Sequence, residues 1–113
     1  MSLEFNDSIY QYDALISVNG VFLTIALDPA NIYAVDDISV FLDNGVTGKI
    51  LIYAETSLGV KTLISCNLYP SGAQNGSRLS GISGVSFLRF EMLFLGAPAT
   101  LKLATRVRER VAT

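Results

Sequence analysis

Apolar and polar residues recur with a period of two along most of the chain, the spacing of strands rather than of helices. Val21, Leu23, Ile25 and Leu27 alternate with Phe22, Thr24 and Ala26. Both sets are largely apolar, which predicts a strand buried on two faces or lying at an interface. Ile38–Leu42, Lys49–Ala54 and Val60–Cys66 read as further strands, the last with Val60, Thr62, Ile64 and Cys66 on one face. The segment 85–95 directs Leu88, Phe90, Met92 and Phe94 one way, with Arg89 and Glu91 on the other side. A final strand runs from about Ala99 to Val111.

Turn residues punctuate these runs. Asn19-Gly20 is the strongest hairpin signal, because both residues tolerate the positive φ of a type I′ turn. Asp43-Asn44-Gly45 and Ser57-Leu58-Gly59 separate strands in the same way, and Asp28-Pro29 and Ala97-Pro98 end them. Ala30 to Val35 has room for one helical turn at most. Residues 67–84, from Asn67 through Tyr69, Arg78 and Gly84, are the least regular stretch. A loop of that length is a candidate for binding or assembly, or a surface excursion holding a short strand. Seven or eight short strands with regular turns predict an all-β fold, an antiparallel β-sandwich or barrel. The 113 residues fit a single domain, 1–113, in which residues 1–12 are a candidate N-terminal arm.

Composition narrows the picture. Half of the residues are hydrophobic and only 16% are charged, enough apolar content for a core that needs no disulfide or structural metal. Cys66 is the single cysteine, so no internal disulfide exists. Met1 to Asp7 lacks the basic and apolar regions of a signal peptide, and no apolar run is long enough for a membrane helix. A cytoplasmic chain with no membrane association is therefore expected. The net charge of −2 hides an asymmetry. Residues 1–57 hold eight acids and one base, net −7, and residues 58–113 hold seven bases and two acids, net +5. Such a division marks either an interaction surface or acids gathered in turns.

The chain has no histidine, which excludes Ser-His-Asp and Cys-His catalysis and the usual zinc sites within one chain. Phosphate-loop and dinucleotide motifs are missing. No enzyme activity, cofactor or metal is expected. Asp36, Asp37 and Asp43 flank one strand and, converging with Glu55, would supply a carboxylate constellation for glycoside hydrolysis or Ca²⁺, without a specific spacing; acids at strand ends and turns are the plainer reading. Cys66 reads as a small core residue. Among the tyrosines, Tyr69 is the one expected to be exposed, in the long loop. The clearest constellation is the last strand. Leu101, Leu103, Val107 and Val111 take one face, and Lys102, Arg106, Arg108 and Arg110 take the other. That makes a cationic stripe about 27 Å long at strand spacing. It suits phosphate, an acidic protein surface or the acid-rich half of another copy, or it is a solvated face. A net acidic chain without aromatics among those bases argues against nucleic acid.

Val85–Met92 followed by Gly96–Leu103 resembles the closing strands of galactose-binding-like and carbohydrate-binding jelly rolls, and Ile50–Ser57 is similar to their central hairpin. Those modules bind sugars through exposed aromatics, often beside Ca²⁺; this chain has no Trp. In size, low charge and missing catalytic residues, the chain more closely resembles the small decoration, or staple, proteins that reinforce bacteriophage capsids, some of which reuse that jelly roll. The resemblance implies an antiparallel β-sandwich of the jelly-roll kind and a structural virion protein, a cement subunit on the capsid surface. Its partner would be the major capsid protein or copies of itself, and carbohydrate is the alternative. The expected contacts are Lys102, Arg106, Arg108 and Arg110, the loop around Tyr69 and Arg78, and the arm carrying Tyr10 and Tyr12. On this reading, reversing Arg106 and Arg108 to Glu abolishes particle association and leaves the fold intact.

Overall fold

The computed structural model describes residues 4–70, 72–75 and 78–111. These form nine strands and, among the described residues, no helix. One sheet, A, contains β1 (Glu4–Ile16), β9 (Ala99–Val111) and β3 (Ile32–Leu42) in that order. Two short strands, β6 (Gly72–Asn75) and β7 (Leu79–Ser83), share the far side of β3. The second sheet, B, takes the order β2-β8-β4-β5, from β2 (Gly20–Ala26), β8 (Phe87–Leu93), β4 (Gly48–Glu55) and β5 (Lys61–Tyr69). All pairings are antiparallel. The two sheets form the expected β-sandwich.

The core follows from alternation. Sheet A contributes Val35, Val40, Leu42, Leu101, Leu103 and Val107, and sheet B contributes Ile25, Ile50, Ile52, Leu88, Phe90 and Met92. Thr105 also points inward, where its hydroxyl donates to the Asp36 carbonyl at 3.2 Å and so escapes the cost of an unpaired buried group. Phe22 joins the sheets at one corner, edge-on to Tyr12 at 5.1 Å and to Phe90 at 6.3 Å.

Several elements differ from the sequence reading. The arm expected at residues 1–12 is, from Glu4 onward, part of β1, paired with β9 along thirteen positions; residues 1–3 lie outside the described residues. No helical turn forms over 30–35, because β3 begins at Ile32. Asn19-Gly20 does not close a hairpin. It sits where the chain crosses from β1 in one sheet to β2 in the other, and the Asn19 side chain accepts the Leu95 N–H instead. Asn44-Gly45 does make a tight turn, with φ of 64° and 66° at the two central positions and the Val46 N–H returning to the Asp43 carbonyl. Ser57-Leu58-Gly59 turns the β4–β5 hairpin as expected. β2 is an edge strand with Val21, Thr24 and Ala26 exposed, not a strand buried on both faces.

Two bulges reset the inward and outward faces. In β3, three steps from Asp36 to Ser39 oppose two in β9, and Asp37 takes a φ of 53°. Aspartate tolerates this left-handed conformation better than most residues. The extra residue lets both Asp36 and Ile38 be buried. In β5 the register shifts at Ile64, so Thr62 pairs with inward-facing Ala54 whereas Cys66 pairs with outward-facing Leu51. Cys66 is therefore exposed, contrary to its expected place in the core, because one inserted residue exchanges the faces of everything beyond it.

Candidate functional site

The cationic stripe occupies the outer face of sheet A, on its interior strand β9. The neighbours supply acids. In register, β1 places Asp7 opposite Arg108 and Asp13 opposite Lys102, and β3 places Asp36 opposite Arg106. Arg106 reaches Asp37 at 2.9 Å and Asp7 at 3.9 Å, and Arg108 reaches Asp7 at 3.3 Å and Asp36 at 3.8 Å. Arg78, arriving from the long loop just before β7, makes a two-pronged ion pair with Asp36. The acid-rich and base-rich halves of the chain thus meet within one sheet.

Asp36 is the buried member, only 2% exposed. The Arg78 hydrogen bonds hold its carboxyl below the usual aspartate value. Burial opposes this, and the charges of Arg78, Arg108 and Arg106 reinforce it. At the end of the same sheet, the Tyr33 hydroxyl donates to Glu109 at 2.6 Å and accepts the Asp28 N–H at 2.7 Å. Burial, then Glu109, pushes the Tyr33 phenol up.

The predicted contact residues therefore divide. Arg106 and Arg108 are engaged by acids of their own sheet. Arg78 is paired with Asp36 although its side chain is 70% exposed. Lys102 and Arg110 are exposed on a face that also carries the exposed apolar side chains Ile9, Leu15, Ile32 and Phe41, with Phe41 opposite Lys102 and Ile32 opposite Arg110. Tyr10 and Tyr12 are half-buried and pack against the core from β1. Tyr69 is buried, contrary to expectation. β5 runs on past Cys66, and the alternation that turns Cys66 outward turns Tyr69 inward, opposite Gly48. The irregular stretch 67–84 contains the end of β5 and both short strands, which pair with β3.

The candidate carboxylates do not converge in one pocket. Asp36 and Asp37 bind arginines, Asp43 accepts the Thr100 N–H at 2.8 Å, and Glu55 pairs with Arg89 on sheet B. Among the described residues no group of acids, cysteine or histidine is placed to hold a metal ion, and no helix is long and apolar enough to cross a membrane.

Sequence reasoning missed a trough of about 480 Å³ on the outer face of sheet A. Ser39 and Ala104, opposite each other in the register, are its small central residues, and Gln11, Asp13, Phe41 and Lys102 line it. Its signal was the small Ala104 between Lys102 and Arg106, legible only once the pairing with Ser39 is known. The outer face of sheet B is more apolar, with Leu63 and Leu68 exposed beside Leu51 and Tyr53.

No family model and no curated protein matches the chain. Solved structures do resemble it in fold. The SPBc2 prophage-derived protein YomS is 14% identical, with a TM-score of 0.56 over 91% of this chain and 95% of that one. A chain of Bacillus endospore appendages, described as a novel family of disulfide-linked pili, is 16% identical, with a TM-score of 0.53 over 98% and 90%. The infectious bursal disease virus VP2 subviral particle chain is 9% identical, with a TM-score of 0.51 over 96% of this chain and 33% of its own length. The likeness is one of fold: this all-β sandwich is similar to chains of viral, prophage and appendage proteins.

Proposed function

We propose that the chain is a structural virion protein, a capsid decoration or cement subunit that binds and stabilises a lattice of major capsid protein. The observation that carries this reading is the outer face of sheet A. Arg106 and Arg108 are held in place by acids on both sides, while Lys102 and Arg110 stand at the surface on the face that carries Ile9, Leu15, Ile32 and Phe41. A broad face of arginine and apolar side chains suits a protein partner. Repetition across a lattice multiplies such contacts into avidity without chemistry. The fold likeness to a prophage-derived protein and to VP2 of a subviral particle supports the reading.

Sedimentation of material from the native source, with this chain followed by mass spectrometry, tests the proposal. Co-migration with large particles at a fixed ratio to an abundant shell protein is the expected result. Confinement to light fractions overturns it. Lys102→Glu with Arg110→Glu then tests the face, because both residues lie outside the Arg106–Arg108 ion pairs. Loss of particle association with unchanged thermal stability is expected.

The trough beside Phe41 favours carbohydrate as a second reading, since Gln11, Asp13, Ser39 and Lys102 offer hydrogen-bonding groups around one ring. No two tyrosines form an exposed platform, however, since Tyr33 and Tyr69 are buried and Tyr10, Tyr12 and Tyr53 are half-buried. Saturable glycan binding that Phe41→Ala abolishes would support this reading, and a flat glycan screen would remove it.

A further inference from the structure

The four sheet edges of this molecule are not equally protected. β1 carries Asp7 and Asp13 outward, spaced evenly about Tyr10. Antiparallel pairing of two copies centred there would set aspartate against aspartate, a standard defence of an open edge. The opposite edge of sheet A is broken into β6 and β7, of four and five residues. β2 is interrupted at Phe22, whose ring is occupied by Tyr12 of the overlying strand. β5 is different. It is a nine-residue edge strand whose single charge, Lys61, stands at one end. Beyond Lys61 it presents Leu63, Cys66 and Leu68 to solvent.

We propose that β5 pairs antiparallel with β5 of a second copy about a two-fold axis at Cys66, joining the two four-stranded sheets into one of eight strands. The strand is self-complementary in that register. Cys66 meets Cys66 of the second copy on the outer face. Asn67, on the inner face, meets Ser65 of the second copy, extending the hydrogen bond that Asn67 and Ser65 already share at 3.1 Å. The bulge at Ile64 counts two residues against one, which brings Leu68 beside Leu63 of the second copy. The exposed leucines, 48% and 63% accessible, are then covered twice over by symmetry. The two Lys61 side chains fall at opposite ends of the joint, so self-pairing costs no like-charge contact. Backbone groups left open on β5 supply the remaining bonds, the usual basis of strand addition. This self-association stands independently of the shell-binding reading.

Sedimentation equilibrium of the full chain under reducing conditions, from micromolar to millimolar concentration, provides the test. Wild type is expected to double from its 12.2 kDa monomer mass. Leu63→Lys with Leu68→Lys opposes like charges across the axis and is expected to stay monomeric, with a circular dichroism spectrum and melting temperature like wild type. Leu63→Glu with Leu68→Lys places opposite charges at the same joint and is expected to recover the dimer. In wild type, diamide is expected to link Cys66 across the axis: two thiols lose two protons and two electrons, and diamide is reduced to its hydrazine. A monomeric wild type overturns the proposal. So does a dimer that survives the double-lysine change, or a folded Glu/Lys variant that fails to reassociate.

Discussion

Replacing Asp36 by Asn isolates the charge at the centre of the sheet A network. The side chain keeps its size, but a buried carboxylate that accepts two Arg78 bonds and lies 3.8 Å from Arg108 becomes neutral. Hydrogen bonds to charged groups contribute about 1.5–3 kcal/mol each when buried. Arg78 is 70% exposed and is rehydrated when released, which reduces its share. A net loss of about 2 kcal/mol follows, or roughly 10 °C in melting temperature for a domain of this size. The pH dependence supplies a sharper check. The folded carboxyl titrates below its ordinary value of 3.8. Its stabilisation is therefore complete above that value and lost as pH falls through the folded one. Thermal melts of both proteins from pH 7 downward should show the full gap at neutrality and a closing gap below pH 3.8. Equal melting temperatures at pH 7, or a gap that persists under strong acid, would refute the reasoning.

Three further outcomes follow from the same structure. Arg106→Glu with Arg108→Glu adds two acids to Asp7, Asp36 and Asp37, five in one cluster, so, contrary to the expectation from sequence that the fold stays intact, it should unfold the chain at markedly lower denaturant; an unchanged urea midpoint contradicts the ion-pair geometry. Gly48→Ala drives a Cβ to 2.5 Å from the Met92 sulfur, which is fully buried, and overpacking of this kind costs about 1–3 kcal/mol in chemical denaturation. Tyr33 has a raised phenol, so its contribution holds below its ordinary value of 10.0 and is lost as pH rises through the folded value. Tyr33→Phe should cost about 1 kcal/mol near neutrality and flatten the alkaline decline of stability, read from melts across that range.

The sequence by itself determined the strand periodicity, the fold class and most of the strands. Alternation over Ile38–Leu42, Lys49–Ala54, 85–95 and Ala99–Val111 needs no partner to be read, because a half-buried strand must alternate. It also determined which residues form the stripe on β9. The long-range arrangement came only from the tertiary structure. Asn19-Gly20 has hairpin chemistry, yet β1 finds β9 and β2 finds β8, since ladders across the whole fold outweigh a local turn preference. The bulges at Asp37 and Ile64 have no pattern in sequence, and each moves the residues beyond it to the other face. Cys66 thereby reached the surface and Tyr69 the interior. The stripe itself looked uncompensated along the chain because its acids lie some seventy to one hundred residues upstream, at Asp36, Asp37 and Asp7. Charge neutralisation depends on distance in space, and only folding sets that distance.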